Sequence, residues 1–259
     1  MSAEKQYRVD LNSDLGESFG LWKMGMDDAV IQHVTSANIA CGWHAGDPLV
    51  MDKMMSLASA NQVAVGAHPG FPDLLGFGRR NLAVSAAEAK AYVLYQLGAF
   101  AAFAHTHGLR IQHVKPHGAL YNMAAKDLKL AVAVVEAVRS FDESIIIMGL
   151  AGSCWAEAAA QCGMPFASEV FADRAYEEDG SLVSRNKPGA MIHDEQLALS
   201  RVVRMIKEGK VEAISGRDIP VQCDSICVHG DSEQALRFVE KIRAGLQAEG
   251  VMVKALSAE

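Results

Sequence analysis

The chain has 259 residues, 50% of them apolar and 21% charged, and its 24 Lys and Arg against 31 Asp and Glu leave a formal charge of −7. That length and apolar content can bury a sizeable core, which excludes intrinsic disorder and leaves one large domain or two small ones. The acidic balance excludes a dedicated nucleic-acid binder, whose footprint is basic, and predicts repulsion from anionic membrane surfaces.

The opening residues, MSAEKQYRVD, hold no apolar core of signal-peptide length. The longest apolar stretch, around residues 91–104, is interrupted by Gln96 and Gly98 and is too short for a bilayer. The five cysteines (Cys41, Cys154, Cys162, Cys223 and Cys227) are odd in number and contain no CxxC pair. They read as reduced thiols, so a cytoplasmic protein with no membrane partner is expected.

Short β-branched runs ending in polar residues alternate with helical patterns along the chain. The first runs are Tyr7–Asn12 and Ser36–Cys41. Asp47 followed by Pro48 is an N-cap before proline at the first helical position, and the apolar period predicts a helix to about Ala60. A third run covers Val63–His68. Ser85-Ala-Ala-Glu88 is a capping box that opens a helix running to Gly108. The fourth run is Ile111–Lys115, followed by a helix over about Tyr121–Phe141. After the fifth run, Ile145–Gly149, Ser153 opens a helix that Gly163 closes. The sixth run, Phe166–Phe171, precedes a longer non-periodic stretch, about Ala172–His193, and Asp194 and Gly209 bound the helix after it. The seventh run is Ser225–His229. Asp231, with Gln234 three residues on, opens a last helix ending near Gly250, and Val251–Leu256 is one more short run.

Strands alternating with helices of this length mean βαβ units and a parallel sheet, whose right-handed crossovers let seven or eight units close into a barrel. Polar residues stand at the C-terminal end of nearly every strand, whereas a doubly wound open sheet needs them only at its switch point. The expectation is therefore an α/β fold: a seven-stranded parallel (β/α) TIM-like barrel, one domain over residues 1–259, with residues 172–193 lying over its C-terminal mouth as a lid.

In chain order the strand ends carry Asp10, Asn12 and Asp14; Cys41 and His44; His68; Lys115 and His117; Glu169, Asp173 and Arg174; and His229 and Asp231. A lone histidine there is more often a hydrogen-bonded structural residue, and Cys41 alone reads as packing. So many ionisable groups converging on one mouth predict an active site. Asp10 and Asn12 share strand parity, and Asp14 and Glu17 follow at the turn; paired carboxylates can split into acid and base. Lys115, held extended by Pro116, points along its strand with His117 at the mouth, and a salt bridge is an equally good reading of it. Gly76-Phe77-Gly78-Arg79-Arg80 sets two arginines suited to phosphate or carboxylate near the mouth, one of which a surface ion pair would also explain. It is no dinucleotide fingerprint, because Asn81 stands where the third glycine belongs, and the chain has no P-loop. His44 and His68 with a first-strand carboxylate such as Asp14 form a set suited to Zn2+ or another divalent ion. Cys223 and Cys227 lack nearby residues to complete a metal site. His105 and His107 do not share a helix face, and His113 reads as strand packing.

These motifs are specific enough to carry a resemblance. Asp10-Leu-Asn12-Ser-Asp14-Leu-Gly16-Glu17, Asn38-Ile-Ala-Cys41-Gly42-x-His44-Ala-Gly46-Asp47 and Gly66-Ala-His68-Pro69 resemble signatures of the LamB/YcsF family. So do the glycine-arginine loop, Val114-Lys115-Pro116-His117-Gly118-Ala-Leu120-Tyr121-Asn122 and Glu169-Val-Phe-Ala-Asp173-Arg174-x-Tyr176. The likeness closes with Asp179-Gly180-x-Leu182-Val183-x-Arg185, Gly189-Ala190 and Cys227-Val-His229-Gly230-Asp231, in order over residues 10 to 231. It implies a deformed barrel of the glycoside hydrolase/deacetylase type. It also implies opening of the 5-oxoproline lactam to L-glutamate coupled to ATP hydrolysis, with 5-oxoprolinase subunits B and C as partners.

Under that resemblance the candidate catalytic residues are Asp14, His44, His68, Lys115, His117, Glu169 and His229. Asp10, Asn12, Arg79, Arg80, Asp173, Arg174 and Arg185 are candidate substrate or phosphate ligands. Mg2+ would arrive with ATP on Glu169 or Asp173, and Asp14, His44 and His68 are the candidates for any other divalent metal. A homo-oligomer stays open. Two rivals stand beside this reading: a metal-dependent N-deacetylase of sugars, and a non-catalytic subunit holding a carboxylate ligand. Deacetylases of that type use an HxxxH pair. The one here, His113 to His117, spans Pro116 and should hold its rings too far apart to share a metal.

Overall fold

The computed structural model describes residues 6–229 and 232–257. Its strands, in chain order, are β1 (Tyr7–Leu15), β2 (Ser36–Ala40), β3 (Ala64–His68), β4 (Ile111–Val114), β5 (Ile146–Leu150), β6 (Phe166–Phe171), β7 (Lys210–Glu212), β8 (Asp218–Pro220), β9 (Ser225–Cys227) and β10 (Val251–Val253). The first six and β9 pair in parallel in that order, and β9 returns to β1, closing a seven-stranded barrel. The closure is uneven. Asp10–Asn12 of β1 pair with β9, while Tyr7–Val9 below them pair with β10. One edge of β1 is thus shared by two short strands, which is the deformation of the barrel.

The helices are α1 (Asp27–Val30), α2 (Pro48–Asn61), α3 (Ala86–Thr106), α4 (Gly118–Ala124), α5 (Leu128–Phe141), α6 (Cys154–Cys162), α7 (Glu195–Glu208) and α8 (Glu233–Ala248). Their ends follow local chemistry. Asp47 accepts from the Leu49 and Val50 N–H groups ahead of Pro48, and Ser85 and Glu88 form the reciprocal capping box. Gly163 and Gly209 close α6 and α7 in the left-handed conformation. Apolar faces of these helices cover the barrel with one continuous core that includes Trp155, Phe100, Leu97 and Val134.

Several boundaries differ from the sequence expectation. The first strand runs on to Leu15, so its end lies three residues past Asn12. The single helix expected over about Tyr121–Phe141 is two, because the Asp127 side chain caps a fresh start by accepting from the Lys129 and Leu130 N–H groups. The last helix is capped by Ser232, whose Oγ accepts from Ala235 N; Asp231 lies outside the described residues. Helix α1 and the antiparallel hairpin of β7 and β8 had no sequence signal. Residues 172–193 hold only isolated bridges, Arg174 with Met191 and Tyr176 with Leu182. None of the helices described is long and apolar enough to cross a membrane.

Candidate active site

A column of polar side chains rises through the barrel axis, where a TIM barrel usually packs branched aliphatics. At the bottom, Asp10 accepts from Ser36 Oγ at 2.6 Å, from Thr35 Oγ1 at 2.7 Å and from Ser225 Oγ. Burial raises its carboxyl pKa in spite of those donors. Next, Asn12 donates to Ser225 Oγ at 2.7 Å and accepts from Asn38 Nδ2 at 2.7 Å. Asn38 Nδ2 also reaches Asp14 Oδ1 at 2.8 Å. Asp10 and Asn12, expected to bind substrate or phosphate, are buried and saturated by barrel partners. With β1 continuing to Leu15, they lie below the mouth, and only Asp14 reaches the cavity. His113 belongs to this wall too, its Nε2 lying 2.6 Å from Asn38 Oδ1.

Lys115 crowns the column. Its ammonium donates to Asp14 Oδ1 at 2.9 Å and to Cys227 Sγ at 3.2 Å, and lies 2.6 Å from Glu169 Oε1. Burial opposes its charge, but Asp14, Cys227 and Glu169 hold its pKa well above the usual lysine value. Asp14 is the counterpart: burial would raise it, yet His68 and Lys115 hold its carboxyl well below the usual carboxylate range. Glu169 is fully buried and accepts from Tyr121 Oη at 2.6 Å. It belongs to the Lys115 hub and does not line the cavity. Cys227 sits in contact with Lys115, while Cys41 packs in the core with burial pushing its thiol up to about 12.

Beside this hub stand three histidines and a glutamate. Gly16 turns the chain with φ +72°, and Glu17 then faces back toward the histidines. Glu17 Oε1 lies 3.3 Å from His44 Nε2 and 3.4 Å from His117 Nδ1. His117 Nδ1 is 3.0 Å from His68 Nε2, and that nitrogen is 3.5 Å from Asp14 Oδ2. The rings of His44 and His117 stack with centroids 3.7 Å apart. Burial lowers the pKa of both, with neighbouring histidines adding to it, and burial raises that of Glu17. One ligand atom from each of Glu17, His44, His68 and His117 falls within 4.8 Å of the others, the spacing of metal ligands. Asp14, Cys227 and His229 form a second such group. The expected trio of Asp14, His44 and His68 is therefore split. Glu17 takes the carboxylate place because Asp14 is turned toward Lys115, and His44 stands behind His117, away from the cavity lining. Neither His113 nor Cys223 joins either group.

A cavity of about 1250 Å³ opens above, lined among others by Glu17, His68, Lys115, His117, Tyr121 and His229. Arg79 lines it and stacks over the Phe77 ring at 4.9 Å, and Arg185 lines it from the segment between β6 and α7. Arg174 also lines it, but its Nη2 donates to Val183 O at 2.7 Å and so braces that segment. Arg80 does not reach it; it is exposed and paired with Asp73. His229 Nδ1 is 2.7 Å from Asp173 Oδ2. Burial opposes charging that imidazole, and Asp173 outweighs it, so its pKa is raised. Tyr121 and Cys227 were missed as site residues, and Glu17 was raised only as one of the paired turn carboxylates, not as the partner of the histidines. The signals available were the glycine turn before Glu17 and the one-turn spacing of Tyr121 from His117.

Comparison with known proteins matches the model of the LamB/YcsF family over residues 9–259. The chain is 62% identical over 252 residues to the A subunit of 5-oxoprolinase from Alkaliphilus metalliredigens (strain QYMF), covering 97% of this chain and 98% of that one. It is 56% identical to the protein of the same name from Thermococcus onnurineus (strain NA1), covering 95% and 96%. Among solved structures, the lactam utilization protein from Thermus thermophilus superposes with a TM-score of 0.91 at 44% identity, over 96% of this chain and all of that one. By the extent of that family match and the identity to those relatives, this chain belongs to the LamB/YcsF family.

Proposed function

We propose that this chain acts as the A subunit of an ATP-dependent 5-oxoprolinase, opening the 5-oxoproline lactam to L-glutamate as ATP becomes ADP and phosphate. The observation that carries the reading is a polar cavity over the Lys115 hub, in a chain 62% identical to a protein named for that role. Its partners would be the B and C subunits, and Mg2+ would arrive with the nucleotide.

A five-membered lactam is an almost unstrained amide, so its carbon needs activation. Phosphoryl transfer to the amide oxygen makes that carbon electrophilic. Water adds to it, the C–N bond breaks with a proton delivered to nitrogen, and a second water releases phosphate from the acyl phosphate. Arg79 and Arg185, which both line the cavity, would hold phosphate charge. Lys115 fixes the Asp14 carboxylate at the cavity wall beside the reacting carbonyl. His229, oriented by Asp173, is the proton-transfer group.

The test measures glutamate and ADP from 5-oxoproline and ATP, with this chain alone and then with both partners. Coupled formation of both products in the three-subunit mixture supports the proposal; none with all three present and folded sinks it. In the same assay His68→Ala should abolish lactam opening without unfolding the chain.

A further inference from the structure

Two backbone carbonyls fix the protons of two cavity histidines. His68 Nδ1 lies 2.6 Å from Lys115 O, and His117 Nε2 lies 2.8 Å from Phe77 O. A carbonyl can only accept, so those nitrogens carry the hydrogens. Each ring that holds a single proton then turns a bare lone pair inward, from His68 Nε2 and from His117 Nδ1. These two atoms are 3.0 Å apart, with Glu17 Oε1 3.4 Å from the second. With Glu17 ionised, these three acceptors converge with no donor among them, an arrangement that a bound cation satisfies.

The two spacings of 3.0 and 3.4 Å fall in the range of metal ligands. Ligands about 2.0–2.2 Å from a tetrahedral ion lie about 3.3–3.5 Å apart, and octahedral neighbours about 2.9 Å. Histidine ligands usually donate their other N–H to a carbonyl or carboxylate, which fixes tautomer and aim. Phe77 has φ +53°, the left-handed region that a bulky residue rarely occupies, and the carbonyl of that strained residue meets His117. His44, stacked on His117 and 3.3 Å from Glu17 Oε1, braces the set from behind.

We propose that Glu17, His68 and His117 bind one divalent first-row transition ion, with the remaining coordination position open to the cavity. All three line the cavity, and a site with three protein ligands and one open position is the catalytic kind. The open position would take water or a carbonyl oxygen. The site stands on geometry alone; only its role in polarising a lactam carbonyl rests on the function proposed above.

The test uses the full chain, stripped with a chelator and titrated by calorimetry with Zn2+, Mn2+ and Co2+, with bound metal counted by mass spectrometry. One equivalent should bind. Glu17→Gln, His68→Ala and His117→Ala should each weaken binding by more than about 100-fold, since loss of a ligand exceeds the 10–100-fold effect of an outer partner. Changing His105, exposed at the end of α3, should not. No binding of any of the three ions, or equal binding by folded variants, overturns the proposal. Should the variants fail to fold, X-ray absorption of the zinc-loaded wild type decides: imidazole scattering supports the site and its absence overturns it. Metal without lactam opening would sink the functional reading and leave the site. Lactam opening by a chain that binds no metal would do the reverse.

Discussion

Lys115 and Asp14 meet at 2.9 Å in the cavity wall, and both are locked in that pairing: the lysine pKa is held well above its usual value and the carboxyl well below its own. Glu169, 2.6 Å from the same ammonium, makes the group a buried triad. Removing one partner of a buried pair leaves an uncompensated charge. Lys115→Met should therefore destabilise the fold by about 3–5 kcal/mol, read from the urea midpoint of unfolding. Adding Glu169→Gln should recover part of that loss. An unchanged midpoint in the single variant would show that the triad does not hold the barrel together.

The barrel was legible because its signals are local: β-branched runs, and caps at Asp47, Ser85, Ser153 and Asp194 that each hold a backbone N–H in the structure. The height of a residue along a strand was not. Parity told that Asp10 and Asn12 face one way, yet β1 runs to Leu15. At about 3.3 Å per residue, Asp10 lies far below the mouth and Asp14 near it. Partner choice was equally hidden. Nothing local says that Arg80 turns to Asp73 while Arg79 turns to the cavity, or that Glu17 and not Asp14 faces His117. Those facts depend on loops meeting across the barrel, and the three-residue strands of the β7–β8 hairpin are too short to show a period.

Gly66 and Gly98 separate two roles of glycine. A Cβ on Gly66 would come within 2.1 Å of the His113 imidazole inside the barrel wall. That ring is fixed against Asn38 and cannot swing away cheaply. Gly66→Ala should cost about 3 kcal/mol, the upper end for overpacking. Gly98 lies within α3 with nothing within 4 Å of a built Cβ. Gly98→Ala should stabilise by up to about 1 kcal/mol through helix propensity. Thermal unfolding of both variants should move the melting temperature in opposite directions, and a shift of the same sign would refute the packing argument.

Asp27 should give the fold a distinct pH dependence. It sits in the first turn of α1, its Oδ2 accepting from Gly16 N at 3.1 Å, beside the turn that presents Glu17. Burial is the main reason its carboxyl pKa is raised to about 6, and repulsion from Glu17 adds to it. A carboxyl raised on folding favours the protonated native state. Its contribution is fully present below the unfolded value of about 4 and is lost as pH climbs through 6. Because the residue is only partly buried, the swing is about 2 kcal/mol once solvent screening is discounted. Asn at this position keeps an oxygen for the Gly16 N–H and cannot ionise. Asp27→Asn should therefore gain stability relative to wild type between about pH 4.5 and pH 7.5, read as a widening difference in melting temperature. Parallel curves across that range would mean that Asp27 ionises as an ordinary surface carboxylate, with the Gly16–Glu17 turn held by its hydrogen bond at no electrostatic penalty.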